Sequence, residues 1–308
     1  MTVHRGYVAS TSDLLAVAET IGRDWERVGV SGHLLARNIE TGEELGFDVE
    51  DLVPLASVVK VPIGLTVLNQ ITQGELDAAQ QVTVDPDTKS LGPTGLAAFR
   101  YPATLAIGDL VLQMLTVSDN AAADVLLDRV GVDRVNDSLQ RWGCAGIRVR
   151  HRLHRMYECA ADAAGGDFAL ALDLAIQSDE TGSHAIETLD PAYGNVASAR
   201  ALVDLLERVW LDRIAEPAAT AELRRLMAMQ VFTHRLSSDL RADAVRVSAK
   251  TGTFLHLRHE IGVVESVRGG DRVAIAALTR STRLASIAPD IDMAIGAAGR
   301  SAFEVLRR

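Results

Sequence analysis

Cysteine is scarce in this chain: only Cys144 and Cys159 occur in 308 residues. Two cysteines cannot build a disulfide framework, and no C-x-x-C or His/Cys cluster offers metal-ligand spacing. Two buried or half-buried thiols are therefore expected, with no metal and no cofactor. Positive charge is also lacking. The formal net charge of −10 argues against nucleic acid or an anionic membrane as a partner. No apolar run is long enough to span a bilayer. The first twenty residues, MTVHRGYVASTSDLLAVAET, contain no apolar core of a signal peptide. A cytoplasmic location is the expectation if Met1 is the native start; otherwise the protein is secreted. What remains is ordinary for a globular protein, with 48% hydrophobic and 23% charged residues. The length suits one large domain or two small ones, with a substantial core.

Against this plain background, three short motifs stand out. Ser57-Val58-Val59-Lys60, Ser118-Asp119-Asn120 and Lys250-Thr251-Gly252 occur once each, in that order. Each alone is a weak signal. Together they supply a hydroxyl nucleophile, two lysines that can work on its proton, a second hydroxyl and amide-holding polar groups. That set reads as acyl transfer through a covalent serine intermediate.

Apolar spacing predicts a helix from about Ser12 to Val28, capped by Ser12 or Thr11. Residues 33–50 read as two strands around a Glu-Thr-Gly-Glu turn. Helices are expected over 57–72, 106–116, 120–130, 132–142, 198–211 and near 217–229. Segments 244–254, 260–267 and 273–280 alternate as three strands, and a last helix covers about 290–306. Residues 143–195 give no clear reading. The expected fold is α+β: an antiparallel sheet flanked by the terminal helices, with an all-helical subdomain beside it. One catalytic domain over 1–308 is expected. Its sheet part covers about 1–55 and 215–308, its helical part about 56–214, and the cleft lies at their seam.

With these motifs placed, the chain resembles the serine β-lactamase and penicillin-binding-protein superfamily, and class A β-lactamases in particular. The runs RVGVSGHLLARNIETGEELGFDVEDLVPLASVVK, AIGDLVLQMLTVSDNAAADVLL and VSAKTGTFLHLRHEIGVVE carry the resemblance beyond the motifs. It is good over 10–140 and 195–308 and poor over 143–195. Glutaminases share S-x-x-K, but the presence of both SDN and KTG disfavours that relation.

The resemblance implies a role for each motif residue. Ser57 is the expected nucleophile and Lys60 its base or proton carrier. The i,i+3 spacing on a helix starting near Ser57 puts both on one face, with Ser57 in the positive field of the helix N-terminus. Pro62 falls in the first turns, where a missing N–H costs little. Ser118 is expected to pass a proton to the leaving group. Asn120 should orient Lys60 and the substrate amide, and Asp119 should bond turn backbone. Lys250 is expected to favour a substrate carboxylate and to help move the proton of Ser118, Thr251 to add a hydroxyl for the same carboxylate, and Gly252 to let the substrate backbone approach. The N–H groups of Ser57 and Thr253 are the expected oxyanion hole. Arg258 or His259 could also hold a carboxylate, with surface solvation as the competing reading. The expected partner is a small molecule with a carboxylate and a scissile amide, lactam or ester.

One feature of class A β-lactamases is missing. The loop after SDN should carry a glutamate in a Glu-x-x-x-Asn pattern, to activate the water that clears the acyl-enzyme. Here the corresponding stretch, RVRHRLHRMYE, has no carboxylate before Glu158. Glu180 and Glu187 precede Asn195 at the wrong spacing. His151 or His154 could act as base, since imidazole titrates near pH ~6.5; a solvated surface histidine is the alternative. The expectation is a serine hydrolase acylated at Ser57 with weak or slow β-lactam hydrolysis. The alternatives are a cytoplasmic esterase or amidase, a D,D-peptidase-like enzyme, or a non-catalytic accessory protein of the same fold.

Overall fold

The computed structural model describes residues 6–177, 184–240, 244–283 and 287–307. In chain order, strand β1 (Tyr7–Ala9) leads to helix α1 (Ser12–Arg27), then β2 (Val30–Asn38), β3 (Glu44–Phe47) and the short β4 (Val53–Pro54). A 3₁₀ turn at Ala56–Val59 runs directly into α2 (Lys60–Thr72). The two-stranded ribbon of β5 (Gln81–Val84) and β6 (Ala103–Ala106) precedes α3 (Ile107–Thr116), α4 (Asn120–Val130) and α5 (Val132–Arg141). Next come α6 (Leu153–Ala164), α7 (Phe168–Ile176), β7 (Val196–Ala197), α8 (Ala199–Trp210) and α9 (Pro217–Ala228). The chain ends in three long strands, β8 (Val245–Phe254), β9 (Leu257–Ser266) and β10 (Arg272–Ser281), and helix α10 (Pro289–Leu306).

Six strands form one antiparallel sheet in the order β1-β3-β2-β10-β9-β8. The hairpin expected at 33–50 is β2–β3, and the three terminal strands lie side by side as their alternation suggests. β1, too short for a periodic signal, was not anticipated. Side-chain alternation splits the core in two. Leu34, Ala36, Phe47, Ile275 and Ala277 face α1 and α10, where Trp25 is fully buried and stands edge-on to Phe47. Leu35, Ile261, Val263, Ala274 and Ala276 face the opposite way, into a core shared with α2, α3, α4, α8 and α9. Thr11, not Ser12, caps α1, accepting from Leu14 N–H at 3.3 Å.

This order leaves β8 as the edge strand next to the helical half. Its close neighbour is the Ala56–Val59 turn. A Cβ on Gly252 would sit 2.9 Å from Leu55 O and 3.2 Å from Val58 N. Only glycine lets the strand approach so closely. On the helical side, Asp119 caps α4 through Ala121 N–H (2.9 Å) and also accepts from Leu96 N–H (2.6 Å) and Ala97 N–H (3.2 Å). Gly95, at φ +60°, lies against that carboxylate where any side chain would collide.

The unread stretch 143–195 folds largely as α6 and α7. Asp124 holds the start of α6, accepting from Leu153 N–H (2.6 Å), His154 N–H (2.9 Å) and the Ser90 hydroxyl. Asn195 fastens the stretch to the sheet side. Its Oδ1 accepts from Arg150 N–H at 2.7 Å, and its backbone O accepts from Leu55 N–H at 2.8 Å. Both thiols are free and buried.

Candidate active site

The three motifs converge at the seam between β8 and the helical half. Lys60 is fully buried, and its Nζ lies 3.0 Å from Ser57 Oγ. The same nitrogen reaches Ser118 O (2.7 Å), Ser118 Oγ (3.2 Å) and Asn120 Oδ1 (2.6 Å). Lys250, also fully buried, reaches Ser118 Oγ at 2.9 Å and Thr251 O at 2.9 Å. Ser118 thus sits between two amines.

The helix boundary differs from the sequence expectation. Ser57 lies in the 3₁₀ turn, and the α-helix proper begins at Lys60. The turn still ends in helical N–H groups, so the field argument survives in weaker form. Ala56 (φ +46°) and Ser118 (φ +60°) both occupy the left-handed region that non-glycine residues seldom adopt. Such backbone strain, about 1–3 kcal/mol per residue, is commonly found at functional sites.

Burial drops the Lys60 ammonium to about 7, with Asp119 and Asp124 partly opposing the fall. Burial also lowers Lys250, and the Lys60 charge lowers it further. A neutral Lys60 can donate to its two shortest acceptors, Ser118 O and Asn120 Oδ1, and present its lone pair to the Ser57 hydroxyl. Lys60 is therefore chemically able to act as a base near neutral pH.

Thr251 does not present its hydroxyl as expected. It is buried, and Oγ1 donates to Gln230 Oε1 at 3.0 Å; its backbone N–H goes to the same oxygen. Gln230 Nε2 in turn donates to Glu260 Oε1 at 3.0 Å. Burial raises Glu260 to about 7, although Arg235, Gln230, Leu236 N–H and Lys250 all favour its ionised form. Because Thr251 N–H points away from β9, alternation points Thr253 N–H outward too, at the open sheet edge. Gly252 packs closely against the turn that carries Ser57.

Arg258 and His259 are not solvated; both are buried on β9. His259 Nδ1 accepts from Thr279 N–H (2.9 Å), so Nε2 carries the proton it donates to Pro54 O (2.8 Å). Burial holds this ring neutral, at about 3. It pins the strand before Ser57 to the sheet and is spent on that contact. The cation beside the edge strand that sequence reasoning missed is Arg235. It is buried and binds Asp292 Oδ1 (2.8 Å), Thr253 Oγ1 (2.8 Å) and His259 O (2.9 Å). Arg235 lies between α9 and β8, in a stretch with no periodic pattern. Glu260 did carry a signal: it stands, with Arg258 and His259, at the start of an otherwise apolar strand.

The carboxylates weighed for deacylation lie elsewhere. Glu158 pairs with His154 (3.3 Å) and Arg155 (3.8 Å), and Glu187 pairs with Arg155 (3.2 Å). These residues and His151 line a separate cavity of about 530 Å³. Glu180 lies outside the described residues. His151 and His154 are half-buried rather than solvated, and burial lowers His151. Among the described residues, no carboxylate is hydrogen-bonded to Ser57, Lys60, Ser118 or Lys250.

The chain and its fold have counterparts among known proteins. Residues 17–306 match the Beta-lactamase enzyme family. The chain belongs to that family. It is 39% identical to the beta-lactamase regulatory protein BlaB of Streptomyces cacaoi, over 91% of this chain and 94% of BlaB. Its fold is that of class A β-lactamases and PBP-A. The β-lactamase of Sphaerobacter thermophilus superposes with a TM-score of 0.75 at 19% identity, covering 94% of this chain and 96% of that one. An acyl-enzyme complex of a PBP-A variant with penicillin G superposes with a TM-score of 0.73 at 19% identity, covering 94% and 96%. This member of the β-lactamase family thus brings two lysines and two serine hydroxyls together, with no carboxylate hydrogen-bonded to them among the described residues.

Proposed function

We propose that the protein is a serine hydrolase of the β-lactamase family that is acylated at Ser57 and deacylates slowly. The observation that carries this reading is the buried Lys60 Nζ, 3.0 Å from Ser57 Oγ and bridged through Ser118 to Lys250. Lys60 takes the Ser57 proton as Oγ attacks the carbonyl carbon. The oxyanion is met by the N–H groups of Ser57 and Thr253, donors that typically contribute about 10²–10³ in rate. Ser118 gives its proton to the departing nitrogen or oxygen and recovers one from Lys250 or Lys60. The substrate class is a lactam, amide or ester with a carboxylate near the scissile bond. Thr253, whose side chain is exposed beside Arg235, is the better candidate than Thr251 to meet that carboxylate.

A second reading is favoured by the likeness to BlaB. A site that acylates and holds its acyl group reports the presence of a β-lactam, which suits a regulatory role better than detoxification. Intact-protein mass after mixing with benzylpenicillin, and separately with a simple activated ester, tests both. A persistent adduct on the wild type that is absent from Ser57→Ala supports acylation. No adduct and no turnover with either compound would leave only a non-catalytic role.

A further inference from the structure

A cavity of about 270 Å³ lies between the sheet and the stretch 184–191. Ser57, Lys60, Ser118 and Lys250 take no part in its lining. Pro54, Leu189, Leu257 and Leu278 give it apolar walls. Two opposite charges stand in those walls. Arg280, on β10, is exposed and joins no ion pair among the described residues. Asp190 is buried, and its Oδ1 accepts from Ala192 N–H at 2.8 Å. It too joins no ion pair among the described residues, and a buried carboxylate without a cation is costly. Asp51, at the same cavity, is mostly solvated and lies 3.6 Å from His33 Nδ1. The imidazoles add no positive charge: burial lowers His33 and brings His256 down to about 3. His33 Nδ1 donates to Asp48 O at 2.9 Å, which leaves a lone pair on Nε2. His256 is 5% exposed and lies parallel to His184, and its Nδ1 has no hydrogen-bond partner among the described residues. Such orphaned buried atoms are rare in folded proteins.

We propose that this cavity is a second ligand site, for a small zwitterion of the amino-acid type with an apolar side chain. The ligand carboxylate pairs with Arg280, whose guanidinium suits two parallel hydrogen bonds. The ligand ammonium pairs with Asp190 and donates to the lone pair of His33 Nε2. The apolar side chain lies among the leucines. An unpaired guanidinium and an unpaired carboxylate that line one cavity without meeting are matched by a ligand carrying both charges. A simple anion would meet Asp190 and Asp51 unfavourably, and a simple cation would meet Arg280. Pro54, shortly before Ser57, forms part of the wall, so an occupied cavity bears on the segment that leads to Ser57. The proposal does not depend on acylation of that serine.

Titration calorimetry of the full chain with L-leucine and with D-leucine tests it. At least one enantiomer should bind saturably. The N-acetyl derivative of that enantiomer lacks the ammonium, its amide lacks the carboxylate, and each should bind about tenfold or more weaker. Arg280→Gln should weaken leucine by a similar factor and leave the weak binding of the amide unchanged. Asp190→Asn keeps an acceptor for Ala192 N–H; it should weaken leucine and leave the N-acetyl derivative unchanged. Ser57→Ala should bind leucine as the wild type does. No saturable binding of either enantiomer would overturn the proposal. So would undiminished binding in Arg280→Gln or in Asp190→Asn. Loss of binding in Ser57→Ala would place leucine in the cleft and overturn it as well.

Discussion

Lys60 Nζ lies 3.0 Å from Ser57 Oγ, and no carboxylate is bonded to either residue among the described residues. This relationship shapes both halves of the proposed reaction. On the proposed reading Lys60 is itself the base for acylation, and no carboxylate among the described residues is bonded to the pair to serve deacylation.

The first consequence is a pH dependence. With Lys60 lowered to about 7, its neutral form grows as pH rises through that value. The acylation rate at limiting β-lactam should rise from pH 6 to pH 8 and then level. Stopped-flow or quenched mass measurements over this range check it. Lys60→Ala should lose about 10²–10⁴ in acylation rate, the usual worth of general-base help. A profile that falls over the same range would mean that Lys60 acts as a cation.

Gly252→Ala tests the packing of β8 on the nucleophile's turn. The added methyl meets backbone atoms of Leu55 and Val58, which cannot swing aside as a side-chain tip can. Overpacking of this kind typically costs about 1–3 kcal/mol. Thermal unfolding should show the loss, and acylation should slow as Ser57 shifts relative to Thr253. An unchanged melting temperature with normal acylation would show that the turn yields freely.

Gln230→Leu tests the polar network under the KTG strand. The change removes the acceptor of Thr251 N–H and Oγ1 and a donor to buried Glu260. A buried polar group left unsatisfied costs about 1–3 kcal/mol. Glu260 already sits above its ordinary value, at about 7. A raised carboxyl contributes stability that is present below its unfolded value and lost as pH rises through the folded value. Losing a donor that favours ionisation pushes Glu260 higher still. The penalty of Gln230→Leu should therefore grow from pH 5 to pH 8 in denaturant titrations.

The order of elements and the four converging motif residues were legible in the sequence for separate reasons. Strands such as VAIAALTR read as short apolar runs bounded by turns because both faces are covered, one by α1 and α10 and the other by the helical half. Ser57, Lys60, Ser118 and Lys250 were legible because they sit in short contiguous motifs. Arg235 and Gln230 were not. Both lie in the irregular stretch between α9 and β8, and only the chain's path brings them to the site. Thr251 shows the opposite error. A motif says which residue is present but not which way its hydroxyl turns, and here Gln230 draws it inward.

The last prediction concerns turnover. Acylation needs Lys60, Ser118 and two oxyanion donors, and the first two are within bonding distance of each other and of Ser57 or Lys250. Deacylation needs a base beside a water. Asp124 is buried nearby, but its oxygens are taken by Ser90, Leu153 N–H and His154 N–H, and burial raises it. Glu158 and Glu187 are held by Arg155 in a different cavity. Loss of general-base help costs about 10²–10⁴ in the second step alone. A chromogenic cephalosporin should therefore give a burst of one equivalent and then a slow phase, with the adduct visible by mass throughout. Substituting Glu158 or Glu187 by Gln should leave the slow phase unchanged within about twofold. Linear turnover from the first seconds, with no burst, would mean that a base acts on the acyl-enzyme after all. Loss of that turnover in Glu158→Gln would then locate it on α6.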